Sequence, residues 1–394
     1  MISTDGFEEL GEWSESPTDS DSVQAALLRI WRDANKTYSR ADGHTGESGG
    51  ILRTRVANLL AYTTSPEDAE QAEAVLRELA LRHPLRSIVF SPAEAPSNGG
   101  LGAAVRMFCR PSSGRSVCFE QIHLSAEDEN GARLAGLVEQ LLVHDLPTLL
   151  WCPDSAPSGS SAFQNLAGLA DLLIFDSRQF TSALDGLVAL SGGSDLSKDQ
   201  NAIADLNWNR LADWRELIAQ FFDHDEAGAA LENIRQVEIE TGSAGDVAPS
   251  AQALLLVGWL GSRLNWRIRS ARRAADGLTL QMHRGQVSIG VRIVPAPTKS
   301  AGSGVLNAVR IDSGEGTKSQ RFCLESEPDA PHASATSEAA GGQSNCRCFA
   351  LQERSTADLL AEEVEAFGRE HALEEAIEFA ATIAVRIAAI PASR

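Results

Sequence analysis

The chain has 394 residues, 43% of them hydrophobic and 22% charged, a composition of folded globular proteins with length for two or three domains. Lysine and arginine total 34 against 54 aspartate and glutamate, a formal charge of −20. That balance repels phosphate backbones and anionic lipid, so nucleic acid and membrane are excluded as expected partners. Six cysteines without CxxC spacing do not make a disulfide scaffold or a zinc ribbon. The acidic start lacks the basic and apolar regions of a signal peptide, and a reducing cytoplasm is the expected location.

Residues 1–22 are rich in Ser, Asp and Glu without apolar periodicity and read as a disordered acidic lead-in. A helix follows with Ser22 as its N-cap and Val23, Ala26, Leu27, Ile30 and Trp31 on one stripe. Residues 41–50 read as a glycine-rich loop and 52–63 as a buried strand. Ser65-Pro66-Glu67-Asp68 then starts a helix carrying Ala69, Ala72, Val75, Leu76 and Leu79 on its apolar face. Strands are expected at 86–90, 101–109 and 116–124, then a helix through Leu134, Leu137, Val138, Leu141 and Leu142. Thr148-Leu149-Leu150-Trp151 reads as a strand buried on both faces, followed by a short helix at 163–170 and a strand at 171–175. This alternation predicts a mainly parallel sheet with right-handed crossovers over residues 23–200.

From 201 to 394 the pattern changes. A helix is expected at 208–222, a strand at 236–240 and an apolar helix at 249–264. Alternating residues over 267–294 and 308–325 suit antiparallel strands, and the Ser/Ala/Gly/Pro-rich residues 326–344 read as a mobile loop. A short strand at 346–351 and two helices, 356–367 and 372–390, close the chain. The expected class is α/β: an N-terminal, mainly parallel α/β sheet domain, then an α+β C-terminal domain with closing helices.

The sequence contains no GxGxxG after the first strand, no GxxxxGK[ST] and no HExxH. No catalytic residue, cofactor site or metal site is therefore expected. Two local features remain. Trp208, Arg210, Trp214 and Arg215 share a short amphipathic stretch, and Trp and Arg are the residue types most enriched in binding hot spots. Core tryptophans, with the arginines paired to Asp205 and Asp213, are the alternative. Cys346 and Cys348 stand at i and i+2 of a strand, on one face, which makes them a candidate redox pair or two unrelated thiols.

Several ordered stretches resemble the glucose-6-phosphate dehydrogenase assembly protein family, OpcA. They are His83-Pro84-Leu85-Arg86-Ser87-Ile88-Val89, then Leu146-Pro147-Thr148-Leu149-Leu150-Trp151-Cys152-Pro153, then Asp171-Leu172-Leu173-Ile174-Phe175-Asp176-Ser177. The stretch from Trp208 to Arg215, Gly258-Trp259-Leu260 and Leu359-Leu360-Ala361-Glu362-Glu363 continue the set over roughly residues 50–390. The resemblance implies a non-catalytic, cytoplasmic assembly factor and allosteric activator. Its partner is glucose-6-phosphate dehydrogenase, whose active oligomer it favours, at the NADPH-producing entry of the oxidative pentose phosphate pathway. In photosynthetic bacteria the family is also linked to thioredoxin-type control, which makes thioredoxin an implied second partner. The alternatives are a sugar-phosphate- or nucleotide-binding enzyme of a degenerate α/β fold, using arginines such as Arg86 and Arg178, and a redox adaptor built on Cys346 and Cys348.

Overall fold

The computed structural model describes residues 8–41, 55–93, 100–110, 117–127, 130–156, 159–193, 201–223, 225–243, 248–274, 276–297, 304–327, 332–340 and 344–388. The expected loop at 41–50 and the start of the expected strand at 52–63 lie almost wholly outside them. Two compact units form the α/β fold. The first takes residues 1–176, 197–204 and 355–369; the second takes 177–196, 205–354 and 370–394. The division expected near residue 200 is thus interrupted. Residues 177–196 belong with the second unit, and the first of the two closing helices belongs with the first.

In the first unit the elements are β1 (Glu8–Glu15), α1 (Ser20–Ala41), β2 (Ala57–Tyr62), α2 (Pro66–Leu79), β3 (Leu85–Pro92), β4 (Gly102–Arg110), β5 (Val117–Ala126) and α3 (Gly131–Leu141). They continue with β6 (Thr148–Cys152), α4 (Ser161–Ala167), β7 (Leu172–Phe175) and β8 (Ala202–Asp205). The sheet order is β1-β4-β5-β3-β2-β6-β7-β8. Strands β5, β3, β2, β6 and β7 run parallel, and β4 and β1 are antiparallel additions. Every residue of β2, β6 and β7 is buried, as parallel strands covered on both faces require.

Three expectations for this unit need correction. Residues 8–15 are not a disordered lead-in: they form edge strand β1, whose Trp13 lies opposite Val105. Charged residues on an edge strand look like disorder when only composition is read. The cap of α1 is Asp19, whose carboxylate accepts from Ser22 N at 2.9 Å, so Ser22 is the capped residue. Cys109 and Cys118, which no spacing rule pairs, face each other across β4 and β5 and form a disulfide with Cα atoms 4.1 Å apart.

A buried carboxylate ties this unit together. Glu120 on β5, 1% exposed, accepts from Trp31 Nε1 of α1 at 3.1 Å and from Arg86 Nε of β3 at 2.9 Å. Arg55 also pairs with it, and Arg86 reaches the Leu141 carbonyl at the end of α3. Arg86 is therefore committed to the interior and is not offered to a ligand.

The second unit holds α5 (Ala183–Val188), α6 (Leu206–Arg210), α7 (Ala212–Gln220), α8 (Asp225–Glu232), β9 (Ile234–Ser243), α9 (Ala251–Arg263), β10 (Arg267–Ala274), β11 (Gly277–Arg284) and β12 (Val287–Pro297). Strands β13 (Leu306–Ser313), β14 (Gln320–Ser326), β15 (His332–Ala339) and β16 (Ser344–Ala350) follow; α10 (Thr356–Ala366) returns to the first unit and α11 (His371–Ala388) to the second. The sheet order is β10-β11-β12-β9-β13-β14-β15-β16, antiparallel except between β12 and β9. Helices α9 and α11 pack closely at Gly258, where an added Cβ would lie 2.2 Å from the Ala376 carbonyl oxygen.

Residues 326–344, expected as a mobile loop, contain β15, hydrogen-bonded on both sides. Its buried face is Ala333 and Ala335, residues too small to register as an apolar alternation. The single helix expected at 208–222 is two, α6 and α7, separated by a tight turn in which Leu211 N donates to Trp208 O at 3.0 Å. Among the described residues no helix is long and apolar enough to cross a membrane.

Replacing Glu120 by Gln would leave the Arg55 and Arg86 cations without their buried counter-charge. The expected loss is about 3–5 kcal/mol of unfolding free energy, measured by denaturant titration; a change within about 0.5 kcal/mol would show that this cluster does not anchor the unit.

Candidate functional site

In open α/β sheets ligands bind beyond the carboxyl ends of the strands, where the strand order reverses. Here that point lies between β2 and β6, because the chain proceeds from β2 to β3 on one side and from β6 to β7 on the other. A dinucleotide fold presents glycine amides and a free helix N-terminus to pyrophosphate at this turn. This chain has Thr63-Thr64-Ser65-Pro66-Glu67-Asp68 there. Pro66 opens α2 and has no N–H, while Asp68 N donates to Ser65 Oγ at 3.1 Å. Thr64 N donates to Asp154 Oδ2, beyond β6, at 2.9 Å, and the Thr64 hydroxyl donates to the same carboxylate.

The first turn of α2 thus carries Glu67 and Asp68, and Asp154 already accepts the amide that a phosphate would need. Burial raises the Asp154 carboxyl above the usual carboxylate range, and the charge of Asp68 adds to the rise against the Thr64 bonds. An anion about 4 Å from one such carboxylate meets a repulsion of about 4 kcal/mol at an effective dielectric near 20. Beside the turn, the Tyr62 ring stacks on Phe90 at 5.4 Å and meets Phe163 edge-on at 5.6 Å, and its hydroxyl lies 2.8 Å from Ser160 Oγ. Burial also raises the Cys152 thiol well above its ordinary range, so it is held as a neutral thiol.

A cavity of about 670 Å3 lies over the same sheet, lined by residues that include Glu73 and Arg77 of α2, Ser91, Arg106 and His123. Sequence reading missed it. Ser91 Oγ is 2.9 Å from His123 Nε2, and His123 Nδ1 is 2.7 Å from Glu73 Oε1. A hydroxyl, an imidazole and a carboxylate are aligned, yet acyl transfer would also need donors for an oxyanion. The residue after Ser91 is Pro92, without an N–H, and Ala93 N donates to Ala126 O at 3.1 Å. Arg106 donates to the second oxygen of Glu73 at 3.0 Å, so that carboxylate holds α2 to β4 and β5.

The residues singled out from sequence fall as follows. Trp208 is fully buried and Trp214 is 5% exposed. Trp208 Nε1 donates to Glu370 Oε1 at 2.7 Å, and the Arg215 guanidinium lies 3.5 Å from the centre of the Trp208 ring while pairing with Glu370 at 3.6 Å. Burial lowers the Arg215 pKa, against the pull of Glu370. Asp205 caps α6 through Asn207 N, and Asp213 binds Arg354 at 2.9 Å; Arg215 pairs with Glu370 instead. Arg210 is half-buried. Cys346 and Cys348 are both exposed on β16, opposite Thr336 and Ser334, and so share one face of an edge strand. Among the described residues no group of three or more metal-ligating side chains is assembled.

Two family models match the chain: the glucose-6-phosphate dehydrogenase subunit N-terminal domain over residues 76–191 and the corresponding C-terminal domain over residues 201–377. A protein named "Putative OxPP cycle protein OpcA" from Nostoc punctiforme is 30% identical over 377 residues, 91% of this chain and 78% of the relative. The chain belongs to the OpcA family. The Synechocystis OpcA is 27% identical, the alignment covering 84% of this chain and 69% of that protein. Among solved structures, myo-inositol dehydrogenase from Lactobacillus casei aligns at 10% identity and a TM-score of 0.40, covering 84% of this chain and 94% of that one. An oxidoreductase domain protein from Kribbella flavida gives 11% identity and 0.40, with 84% and 96% covered.

Within this OpcA chain, the tryptophan and the arginine make separable predictions. Trp208→Ala is expected to cost about 3–5 kcal/mol of stability, read by denaturant titration, whereas Arg210→Ala, at a half-buried side chain, should cost clearly less. Titrating NADP+ into the purified chain is expected to give no binding heat; saturable binding would show that the β2–α2 turn accepts phosphate after all.

Proposed function

We propose that this chain is a non-catalytic subunit that binds glucose-6-phosphate dehydrogenase and favours its active assembly. The observation that carries the reading is the pair of family models, both described as domains of a glucose-6-phosphate dehydrogenase subunit, over most of the chain. The switch-point geometry supports it. A turn closed by Asp154 and headed by Pro66 is unsuited to hold the nucleotide itself, so a contribution to NADPH formation would run through a partner. The site of action would be the cytoplasm, with the dehydrogenase. The aromatic–guanidinium cluster of Trp208, Arg215 and Glu370 then serves as a rigid support, with the half-buried Arg210 and the edge of Arg215 among the side chains of α6 and α7 a partner can reach.

An activator works only by binding the active state of its target more tightly than the inactive one, a coupling typically of about 1–3 kcal/mol, or roughly 5–150-fold. Adding the chain to its cognate dehydrogenase is expected to lower KM for glucose 6-phosphate or raise kcat, with no NADPH formed by the chain alone. Kinetics unchanged at saturating chain would contradict the reading. A second reading, a thioredoxin contact, is favoured by the exposure of Cys346 and Cys348 on one face of β16. Thiol titration before and after thioredoxin treatment tests it, and an unchanged count would remove it.

A further inference from the structure

Strand β10 is the end strand of its sheet and carries Arg267, Arg269, Arg272 and Arg273 among eight residues. All four are exposed, and among the described residues none has a carboxylate within ion-pair distance. The contrast lies within the same sheet. Arg235 pairs with Glu315, Arg284 with Glu232, Arg292 with Glu238, Arg310 with Glu240 and Arg321 with Asp312. In a chain with 54 acidic and 34 basic residues, four unpaired cations on one short strand run against the composition.

We propose that β10 is a docking edge for an extended acidic segment of a partner protein. The dehydrogenase is the partner tested, so the inference rests on the function proposed above. Three observations select this occupant. First, β10 bonds to β11 on one side, and among the described residues its other side makes no backbone bonds, which leaves a row of donors and acceptors for an added strand. Second, the cations flank that edge on both faces. Ala271 lies opposite Leu280 on the buried face, Arg272 opposite Thr279 on the other, and a register shift falls at Arg269. Third, the chain already contains such an arrangement: β1, with Glu8, Glu9, Glu12 and Glu15, is seated antiparallel on β4, and Glu12 meets Arg106 at 3.3 Å.

Charged side chains on edge strands also deter self-pairing. Here they bar a second β10 by like-charge repulsion and leave an acidic strand as the favoured neighbour. The test compares wild type with the triple variant Arg267→Glu, Arg269→Glu, Arg272→Glu and with the milder Arg267→Gln, Arg269→Gln, Arg272→Gln. Affinity for the dehydrogenase is measured at low and high salt, with melting of each free protein. The expected result is wild-type binding that weakens with salt, binding at least about tenfold weaker in the Glu variant at low salt, an intermediate Gln variant and a flattened salt dependence in both. Variants that bind as wild type does overturn this inference alone; a wild type that does not bind overturns it together with the proposed function.

Discussion

A carboxylate closes the turn where a parallel sheet of this order would otherwise present amides to phosphate. Asp154 accepts from both the amide and the hydroxyl of Thr64, and Pro66 opens α2 without an N–H. Helix α2 then starts under its own Ser65 cap, with acidic residues at its positive end. The same choice that stabilises α2 internally makes its N-terminus unreceptive to an external anion.

Buried carboxylates recur as fasteners in the first unit. Glu120 gathers Trp31, Arg86 and Arg55, and Glu73 gathers His123 and Arg106. Each joins a helix to the sheet, and each would be costly to leave unpaired. In the second unit, Glu370, itself exposed, receives the Trp208 indole and the Arg215 guanidinium. These clusters engage Arg55, Arg86, Arg106, Arg215 and His123. The arginines of β10 are left over, and they lie outside.

Much of the fold was legible in the sequence because periodicity and caps are local. The Ser65-Pro66 helix start, the apolar strand at 148–151 and the stripe from Leu134 to Leu141 all occur where their spacing puts them. What was not legible depends on partners distant in sequence. Strand β15 hides because Ala333 and Ala335 are small, and β1 hides because charge masks an edge strand. The pairing of Cys109 with Cys118 needs the register of β4 on β5, and the Ser91–His123–Glu73 alignment needs three elements at once. The tryptophans show the limit most clearly, since Trp208 and Trp214 look the same in sequence whether they face a core or a partner, and burial decides for the core.

The proposed function requires that this chain join the dehydrogenase. The most direct measurement is the mass of species in a mixture of the two purified proteins, by native mass spectrometry, as the ratio is varied. The expected result is a discrete complex of fixed stoichiometry, containing both chains, that saturates as this chain is added. Two sets of masses belonging only to the separate proteins, at every ratio and with glucose 6-phosphate present, would contradict it.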